Sequence, residues 1–170
     1  MNEVLVRWNE LEPVDAAKEV LSCCGSRAWV KEMVGKRPFG HEAAVLITAD
    51  EVWRKLGASD WLEAFQAHPK IGESRAVAET AERSTSWSKQ EQKIVAVAQD
   101  GEKLGLAEGN RAYEEKFGFI FIVCATGKSA SEILEILRRR LQNVKETELN
   151  VAAEEQRQIT QLRLKKWLGI

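Results

Sequence analysis

The stretch TELNVAAEEQRQITQLRLKKWL, residues 147–168, decides the fold class most clearly. Its apolar side chains return every three or four residues, which is the spacing of one face of an α-helix. The same spacing recurs along most of the sequence and is interrupted by residues that cap or break helices. We therefore predict an all-α fold, with residues 1–170 forming a single compact domain of about eight or nine helices.

The predicted helices are bounded by capping and breaking residues. Gly25 and Ser26 separate the first two, and Pro69 ends another by pushing His68 out of helical geometry. The predicted ranges are Pro13 to Cys24, Ser26 to Met33, Ala49 to Leu56, Asp60 to Ala67, Glu91 to Leu104, Ala107 to Phe117, Ser129 to Asn143 and Thr147 to Leu168. The run Phe119 to Cys124 has the composition of a strand but no second run to pair with. We predict that it is a buried extended segment or a short helix, able to form a pocket wall.

Composition and charge exclude several classes of protein. The 25 Lys and Arg residues nearly balance 26 Asp and Glu, and no basic block is interleaved with aromatic residues, so a nucleic-acid partner is not expected. No apolar run approaches the roughly 20 residues that cross a bilayer, and the N-terminal MNEVLVRWNE lacks the features of a signal peptide. The C-terminal WLGI lacks a Ser-Lys-Leu peroxisomal signal. We expect a cytoplasmic protein without a membrane partner.

Cysteine and histidine positions argue against disulfides and metal sites. Cys23 and Cys24 are adjacent, Cys124 lies in an apolar run, and we expect all three thiols to be reduced and buried. Neither His41 nor His68 has another ligand at metal-binding spacing, and we interpret His41 as a surface turn residue. No metal or cofactor is predicted, so any chemistry has to come from side chains alone.

His68 opens the segment His-Pro-Lys-Ile-Gly-Glu, residues 68–73. Proline fixes one backbone angle after the imidazole, and the segment follows a predicted helix C-terminus. An imidazole in a rigid bend can accept and release a proton near neutral pH. A cationic side chain at a helix C-terminus is also an ordinary structural feature. Spacing alone leaves both interpretations open.

The motif Ser88-x-x-Glu91-Gln92 also has two interpretations. In the structural one it is a capping box, in which Ser88 and Glu91 bind the free amides at a helix start. In the functional one, positions i, i+3 and i+4 present a hydroxyl, a carboxylate and an amide on one helical face. A ligand with several polar edges could bind to such a face.

Arginine occurs in two contrasting settings. Arg163 falls between Ile159 and Trp167 on the apolar face of the last predicted helix. A buried guanidinium must be paired, so Arg163 either binds an acidic ligand with two parallel hydrogen bonds or pairs with an internal carboxylate. The run Arg138-Arg139-Arg140, by contrast, is interpreted as a solvated helix face.

Together these segments resemble one family, the 2-oxo-4-hydroxy-4-carboxy-5-ureidoimidazoline (OHCU) decarboxylases of urate breakdown. The resemblance spans nearly the whole chain, and the His-Pro and Phe-Gly-Phe segments are its most specific parts. The matching segments are Cys23-Cys24-Gly25-Ser26 with Trp29-Val30, Arg37-Pro38-Phe39, Asp60-Trp61-Leu62-Glu63-Ala64-Phe65, His68-Pro69-Lys70-Ile71-Gly72, Ser88-x-x-Glu91-Gln92, Phe117-Gly118-Phe119 and Arg163-Leu164.

The resemblance implies an all-helical homodimer that converts the ureidoimidazoline to (S)-allantoin and carbon dioxide without a cofactor. It also implies one site built from residues that spacing alone leaves optional. In that site His68 and Glu91 are the catalytic pair and Arg163 fixes the substrate. The further substrate contacts that it implies are Pro69, Ser88, Gln92 and a backbone amide near Val123.

Two other classes of function are compatible with the same residues. A small helical domain with an inward arginine and a histidine could be a binding module for an acidic partner, without turnover. A hydrolase acting on a hydantoin-like ring could use Glu91 or His68 to activate water. Such a hydrolase would leave the carboxyl carbon in the organic product, whereas a decarboxylase releases it as carbon dioxide.

Overall fold

The computed structural model describes residues 2–71 and 98–170 of the chain. These residues form eight α-helices and no β-strand, which confirms the predicted all-α class. In chain order the helices are α1 (Glu3–Glu10), α2 (Pro13–Leu21), α3 (Arg27–Gly35), α4 (Glu42–Lys55), α5 (Ala58–Gln66), α6 (Asp100–Phe117), α7 (Ala130–Arg140) and α8 (Lys145–Leu168). They belong to two units, the first comprising Met1–Ala64 with Arg157–Ile170 and the second Phe65–Gln156.

In the first unit α1 to α4 pack in sequence, each against the next. The core is built around Trp8, whose ring is fully buried and stacks on Phe39 with centroids 5.8 Å apart. The ring of Trp167 from α8 meets Trp8 edge-on at 5.3 Å. The indole Nε1 of Trp8 donates to the carbonyl of Ala16 at 2.9 Å, so this large apolar side chain is buried with its polar atom satisfied.

Helix α1 was not expected from the sequence, in which the first predicted helix begins at Pro13. Its N-cap is Asn2, whose Oδ1 accepts from the amide of Leu5 at 3.1 Å. The Asn2 amide group also donates to the carbonyl of Leu168 at 2.7 Å. An isolated helix of eight residues has marginal stability. The contact of Asn2 with the end of α8 adds stability that cannot be predicted from the sequence pattern of α1 alone.

Helix α4 begins earlier than the predicted Ala49 to Leu56. It starts at Glu42 because His41 acts as the N-cap, with its Nδ1 accepting from the amide of Ala44 at 3.2 Å. His41 is exposed, as predicted for a surface residue. Its role as a helix cap was missed because imidazole is not among the preferred capping groups.

In the second unit α6 packs against α7 through two glycines. Gly105 faces Leu134, and Gly109 approaches Leu137 so closely that an added Cβ would lie 2.5 Å from Leu137 Cδ2. The sequence suggested a break between Leu104 and Ala107, but α6 is continuous from Asp100 to Phe117. The absence of a side chain at these two glycines allows the helices to approach closely, and the packing offsets the low helix propensity of glycine.

The segment after α6 is buried and belongs to neither a helix nor a strand. Gly118 ends α6 with φ +80°, a left-handed conformation that glycine adopts without steric cost. Residues 121–125 are all buried, in agreement with the predicted buried segment at 119–124. Its non-helical backbone excludes the alternative of a short helix. Ser129 then caps α7, its Oγ accepting from the amide of Glu132 at 3.2 Å.

The interpretation of Arg138-Arg139-Arg140 as a solvated face is wrong for the last residue. Arg138 and Arg139 are exposed, but Arg140 is buried and pairs through Nη2 with Glu148 at 2.5 Å. The Tyr113 hydroxyl donates to the same carboxylate, and burial raises the pKa of Tyr113 so that this hydroxyl keeps its proton. A fully buried glutamate needs a cationic partner, and that requirement turns Arg140 inward.

Candidate active site

His68 lies immediately beyond the C-terminus of α5, as the sequence predicted. Helix α5 ends at Gln66, and the backbone amide of His68 donates to the carbonyl of Phe65 at 3.1 Å. The imidazole is buried, with 9% of its surface exposed, and its Nε2 lies 2.7 Å from Oε1 of Gln156 on α8. The ring is therefore held at a fixed place in the second unit by both its backbone and its side chain.

The residues after His68 are fixed by contacts with α6. Pro69 is half-buried. The ammonium group of Lys70 pairs with the Glu114 carboxylate at 2.6 Å, and the Asn110 side chain donates to the carbonyl of Ile71 at 2.7 Å. The His-Pro-Lys-Ile segment is thus attached to a rigid helix, which suits a site that must present side chains in one geometry.

The buried segment that contains Val123 is anchored on both sides of that residue. The Nη1 of Arg140 donates to the carbonyl of Ile122 at 2.6 Å, and the amide of Cys124 donates to the Glu155 carboxylate at 2.6 Å. Val123 itself is buried in this wall. The amide that follows Val123 therefore already has a protein acceptor. The contact of a nearby backbone amide with substrate stays a prediction.

Arg163 is buried within the first unit, which confirms that it lies on the inward face of its helix. It is 5% exposed, and its neighbours on the same face, Ile159 and Trp167, are buried with it. Its Nη1 donates to the carbonyl of Ser22 at 3.4 Å. A guanidinium at this depth has to be paired, because an unpaired buried charge is costly. Its role in binding a substrate carboxylate stays a prediction.

The Cys24 thiol near Arg163 is unsuited to nucleophilic chemistry. Desolvation by burial raises its pKa to about 12, although hydrogen bonds from the Ser26 backbone and the Thr160 side chain and the charge of Arg163 lower it. A thiol with that pKa is protonated at neutral pH, and the thiolate is the reactive form. All three cysteines are buried and none forms a disulfide, as predicted.

A family model described as OHCU decarboxylase matches residues 9–165. The chain belongs to the OHCU decarboxylase family. That assignment confirms the resemblance carried by the His-Pro and Phe-Gly-Phe segments, and it covers both structural units described above.

Individual members of this family and related proteins resemble the chain along most of its length. A solved structure, "Crystal structure of OHCU decarboxylase in the presence of (S)-allantoin", is 36% identical, with a TM-score of 0.77, and the match covers 90% of this chain and 99% of that one. The OHCU decarboxylase of Amia calva is 30% identical over 75% of this chain and 73% of its own. The "Uric acid degradation bifunctional protein TTL" of Arabidopsis thaliana is 37% identical over 85% of this chain, which spans only 44% of that longer protein.

Three of the predicted site residues, Ser88, Glu91 and Gln92, lie outside the described residues. The described residues therefore do not decide between a capping box and a ligand-binding face at Ser88-x-x-Glu91-Gln92, and both interpretations of the sequence stay open. Their roles in a decarboxylase site stay predictions.

Gln156 and Glu155 contact the candidate site, and the sequence analysis identified neither of them. Gln156 is fully buried against His68, and Glu155 holds the wall segment at Cys124. A signal for Gln156 was present, because it lies seven residues before Arg163, two helical turns away on the same inward face. The argument that identified Arg163 as inward applies equally to this glutamine.

In residues 2–71 and 98–170 no group of three or more His, Cys, Asp and Glu side chains is arranged to hold a metal ion. Nor do these residues include a helix that combines the length and apolar character needed to span a membrane.

Proposed function

We propose that this chain decarboxylates 2-oxo-4-hydroxy-4-carboxy-5-ureidoimidazoline, giving (S)-allantoin and carbon dioxide in urate breakdown. The observation that carries the proposal is the match to a solved OHCU decarboxylase, crystallised in the presence of (S)-allantoin, of which this chain covers 99%. The family match over residues 9–165 supports the same reaction. A carbon–carbon lyase is therefore the class of enzyme expected.

The substrate supplies its own electron sink. Its carboxylate is attached to a carbon that also bears a hydroxyl and lies beside a ring carbon–nitrogen double bond. As the bond to carbon dioxide breaks, its electron pair forms a double bond between the two ring carbons. The electrons of the carbon–nitrogen double bond move to the nitrogen, which takes up a proton. The hydroxyl then gives up its proton to become the carbonyl of allantoin, and the adjacent carbon gains a proton on one face. A cofactor that accepts electrons is not needed for this chemistry.

His68 is the proposed proton carrier. An imidazole takes and returns protons near neutral pH, and the ring is held in a single orientation by Gln156. Its proposed task is to remove the proton of the substrate hydroxyl. Glu91 is the proposed partner, which contacts the ureido or ring nitrogens and tunes the proton network.

Arg163 is proposed to fix a substrate oxygen by a two-pronged hydrogen bond. Its buried position means that the guanidinium loses little further hydration when an anion binds. Pro69, Ser88, Gln92 and a backbone amide near Val123 are proposed to contact the remaining edges of the substrate. Orientation is the main demand, because the leaving carboxylate must stand out of the ring plane for its electrons to enter the double bond.

We further propose that the protein is a homodimer in the cytoplasm. The family resemblance supports the dimer. Light scattering on the purified protein tests the dimer, with a mass of twice 19.2 kDa expected and the monomer mass contradicting it.

Circular dichroism tests the proposed reaction directly. Urate is oxidised and ring-opened in the presence of the purified protein, and the signal of optically active allantoin is followed with time. A rate well above the spontaneous one, with (S)-allantoin as product, is expected. Racemic allantoin formed at the spontaneous rate would contradict the proposal and favour a binding module. A product that retains the carboxyl carbon would favour the hydrolase.

A further inference from the structure

Gln156 is a polar side chain with no exposed surface, and it contacts the imidazole of His68. Its Oε1 lies 2.7 Å from Nε2 of the ring, although the two residues are 88 positions apart in sequence. Both belong to the unit Phe65–Gln156. Burying an amide is costly unless its atoms are hydrogen-bonded, so the contact with the imidazole helps to make this buried glutamine possible.

The chemistry of this contact determines which ring nitrogen carries the hydrogen. An amide oxygen only accepts hydrogen bonds, so the nitrogen that faces it must donate. A neutral imidazole with hydrogen on Nε2 has its basic lone pair on Nδ1. The contact with Gln156 therefore selects the Nε2–H tautomer of His68 and makes Nδ1 the basic atom of the ring.

Both ends of this contact are held in place. The His68 backbone amide donates to the last turn of α5, and three residues further on the Ile71 carbonyl accepts from Asn110. On α8, the residue before Gln156 is Glu155, whose carboxylate accepts from the amide of Cys124 at 2.6 Å. These contacts hold the backbone near both residues, so the imidazole and the amide extend from fixed points within the unit.

We propose that Gln156 is a positioning residue, which holds His68 as the Nε2–H tautomer and thereby makes Nδ1 the atom that accepts the proton in the reaction. The assignment of the tautomer stands on the geometry alone. Its consequence for catalysis rests on the proposed function of His68. Gln156 acts through the imidazole and is assigned no contact with substrate.

Nitrogen-15 NMR on the unmodified protein is the first test. The chain has only two histidines, so a spectrum of ¹⁵N-histidine-labelled protein contains two rings, and His41→Asn identifies the remaining one as His68. At a pH where the ring is neutral, Nε2 of His68 should have the chemical shift of a protonated nitrogen and Nδ1 that of an unprotonated one. The reverse pattern, or a mixture of both tautomers, would overturn the proposal.

Two substitutions of Gln156 are the second test. Gln156→Met keeps the volume of the side chain and removes the acceptor, so the Nδ1–H tautomer should gain population. The turnover number should fall about tenfold while KM changes less than about threefold, because outer contacts that orient a catalytic ring typically contribute ten- to a hundredfold. Unchanged turnover with the Nε2–H tautomer retained would overturn the role of Gln156.

Gln156→Glu keeps an acceptor of the same reach and adds a negative charge. It should retain the Nε2–H tautomer and more turnover than Gln156→Met. It should also move the acidic limb of the kcat/KM profile to higher pH, because a carboxylate stabilises the imidazolium. A residue that only fills space would move neither the tautomer nor the pH profile, so an unshifted profile would overturn the proposal. This variant also decides the matter if Gln156→Met fails to fold.

The two proposals fail in different ways. If the protein does not decarboxylate the ureidoimidazoline but His68 is the Nε2–H tautomer, the proposed function is wrong and the tautomer assignment stands. If it is active but His68 is the Nδ1–H tautomer, the function stands and the positioning role of Gln156 is wrong.

Discussion

Replacing Arg140 by Met should lower the free energy of unfolding by about 3–5 kcal/mol, the usual cost of leaving one member of a buried ion pair without its partner. The structure places the change at the upper end of that range. Arg140 and Glu148 have side chains that are 4% and 0% exposed, so water cannot replace the lost cation. The substitution also removes the donor to the Ile122 carbonyl, and an unsatisfied buried acceptor costs about 1–3 kcal/mol.

Urea unfolding followed by far-ultraviolet circular dichroism measures this change, provided that the slope with denaturant stays constant. The matched controls are Arg138→Met and Arg139→Met, because both side chains are exposed on the same helix. Each control should lie within about 0.5 kcal/mol of the unmodified protein. If Arg140→Met is no more destabilising than these controls, the buried ion pair does not exist as described.

The double variant Arg140→Met with Glu148→Leu separates the ion pair from simple packing. It should be more stable than Arg140→Met alone, because no carboxylate is then left buried without a cation. If the changes in the free energy of unfolding caused by the two substitutions are additive instead, the two side chains do not interact, and Arg140 is a solvated residue as the sequence predicted.

Three further predictions concern packing, the buried thiol and the proposed proton carrier. Gly109→Ala should destabilise the protein by about 1–3 kcal/mol in the same urea assay, because the added Cβ would lie 2.5 Å from Leu137. The control Gly101→Ala should be neutral or stabilising, because an added Cβ there would have no neighbour within 4 Å. Since burial raises the pKa of Cys24 from 9.0 to about 12, its stabilising contribution should be complete below pH 9 and be lost as the pH rises toward 12. A smaller loss of stability over that interval in Cys24→Ala would confirm this, and an identical loss would contradict it. His68→Asn should lower the turnover number about a hundredfold or more, as expected for loss of a general acid–base group. The control His41→Asn should retain normal turnover. Equal effects of the two substitutions would show that His68 is structural.

The helical class could be predicted because an amphipathic helix needs only local spacing. The last helix shows this best, since its predicted range, Thr147 to Leu168, differs from the observed Lys145–Leu168 only at the start. The missing elements depend on partners that are distant in sequence. Trp8 of α1 is buried by Trp167, and Gly105 stays helical because Leu134 packs against it. The spacing of apolar residues in a short stretch of sequence contains no information about contacts with residues far away in the chain.

The site was predictable to the extent that its residues have a chemical signature. His68 was located by its place before a proline, and Arg163 by a charge on an apolar helix face, which burial confirms. Their catalytic and binding roles stay predictions. Arg140 was misjudged because its partner, Glu148, lies on the following helix and nothing nearby marks that glutamate as buried. Gln156 had the same signature as Arg163 and could have been found by applying one argument to every polar residue on that face.

The fate of the substrate's carboxyl carbon shows whether this chain is a decarboxylase. Ureidoimidazoline labelled with ¹³C at the carboxyl group is followed by ¹³C NMR with and without the protein. We predict that the label leaves as carbon dioxide and bicarbonate at a rate that increases in proportion to protein concentration, and that the allantoin formed is optically active and unlabelled. Label that remains in an organic product, or that is released no faster than without protein, would contradict the assignment of this chain as a decarboxylase.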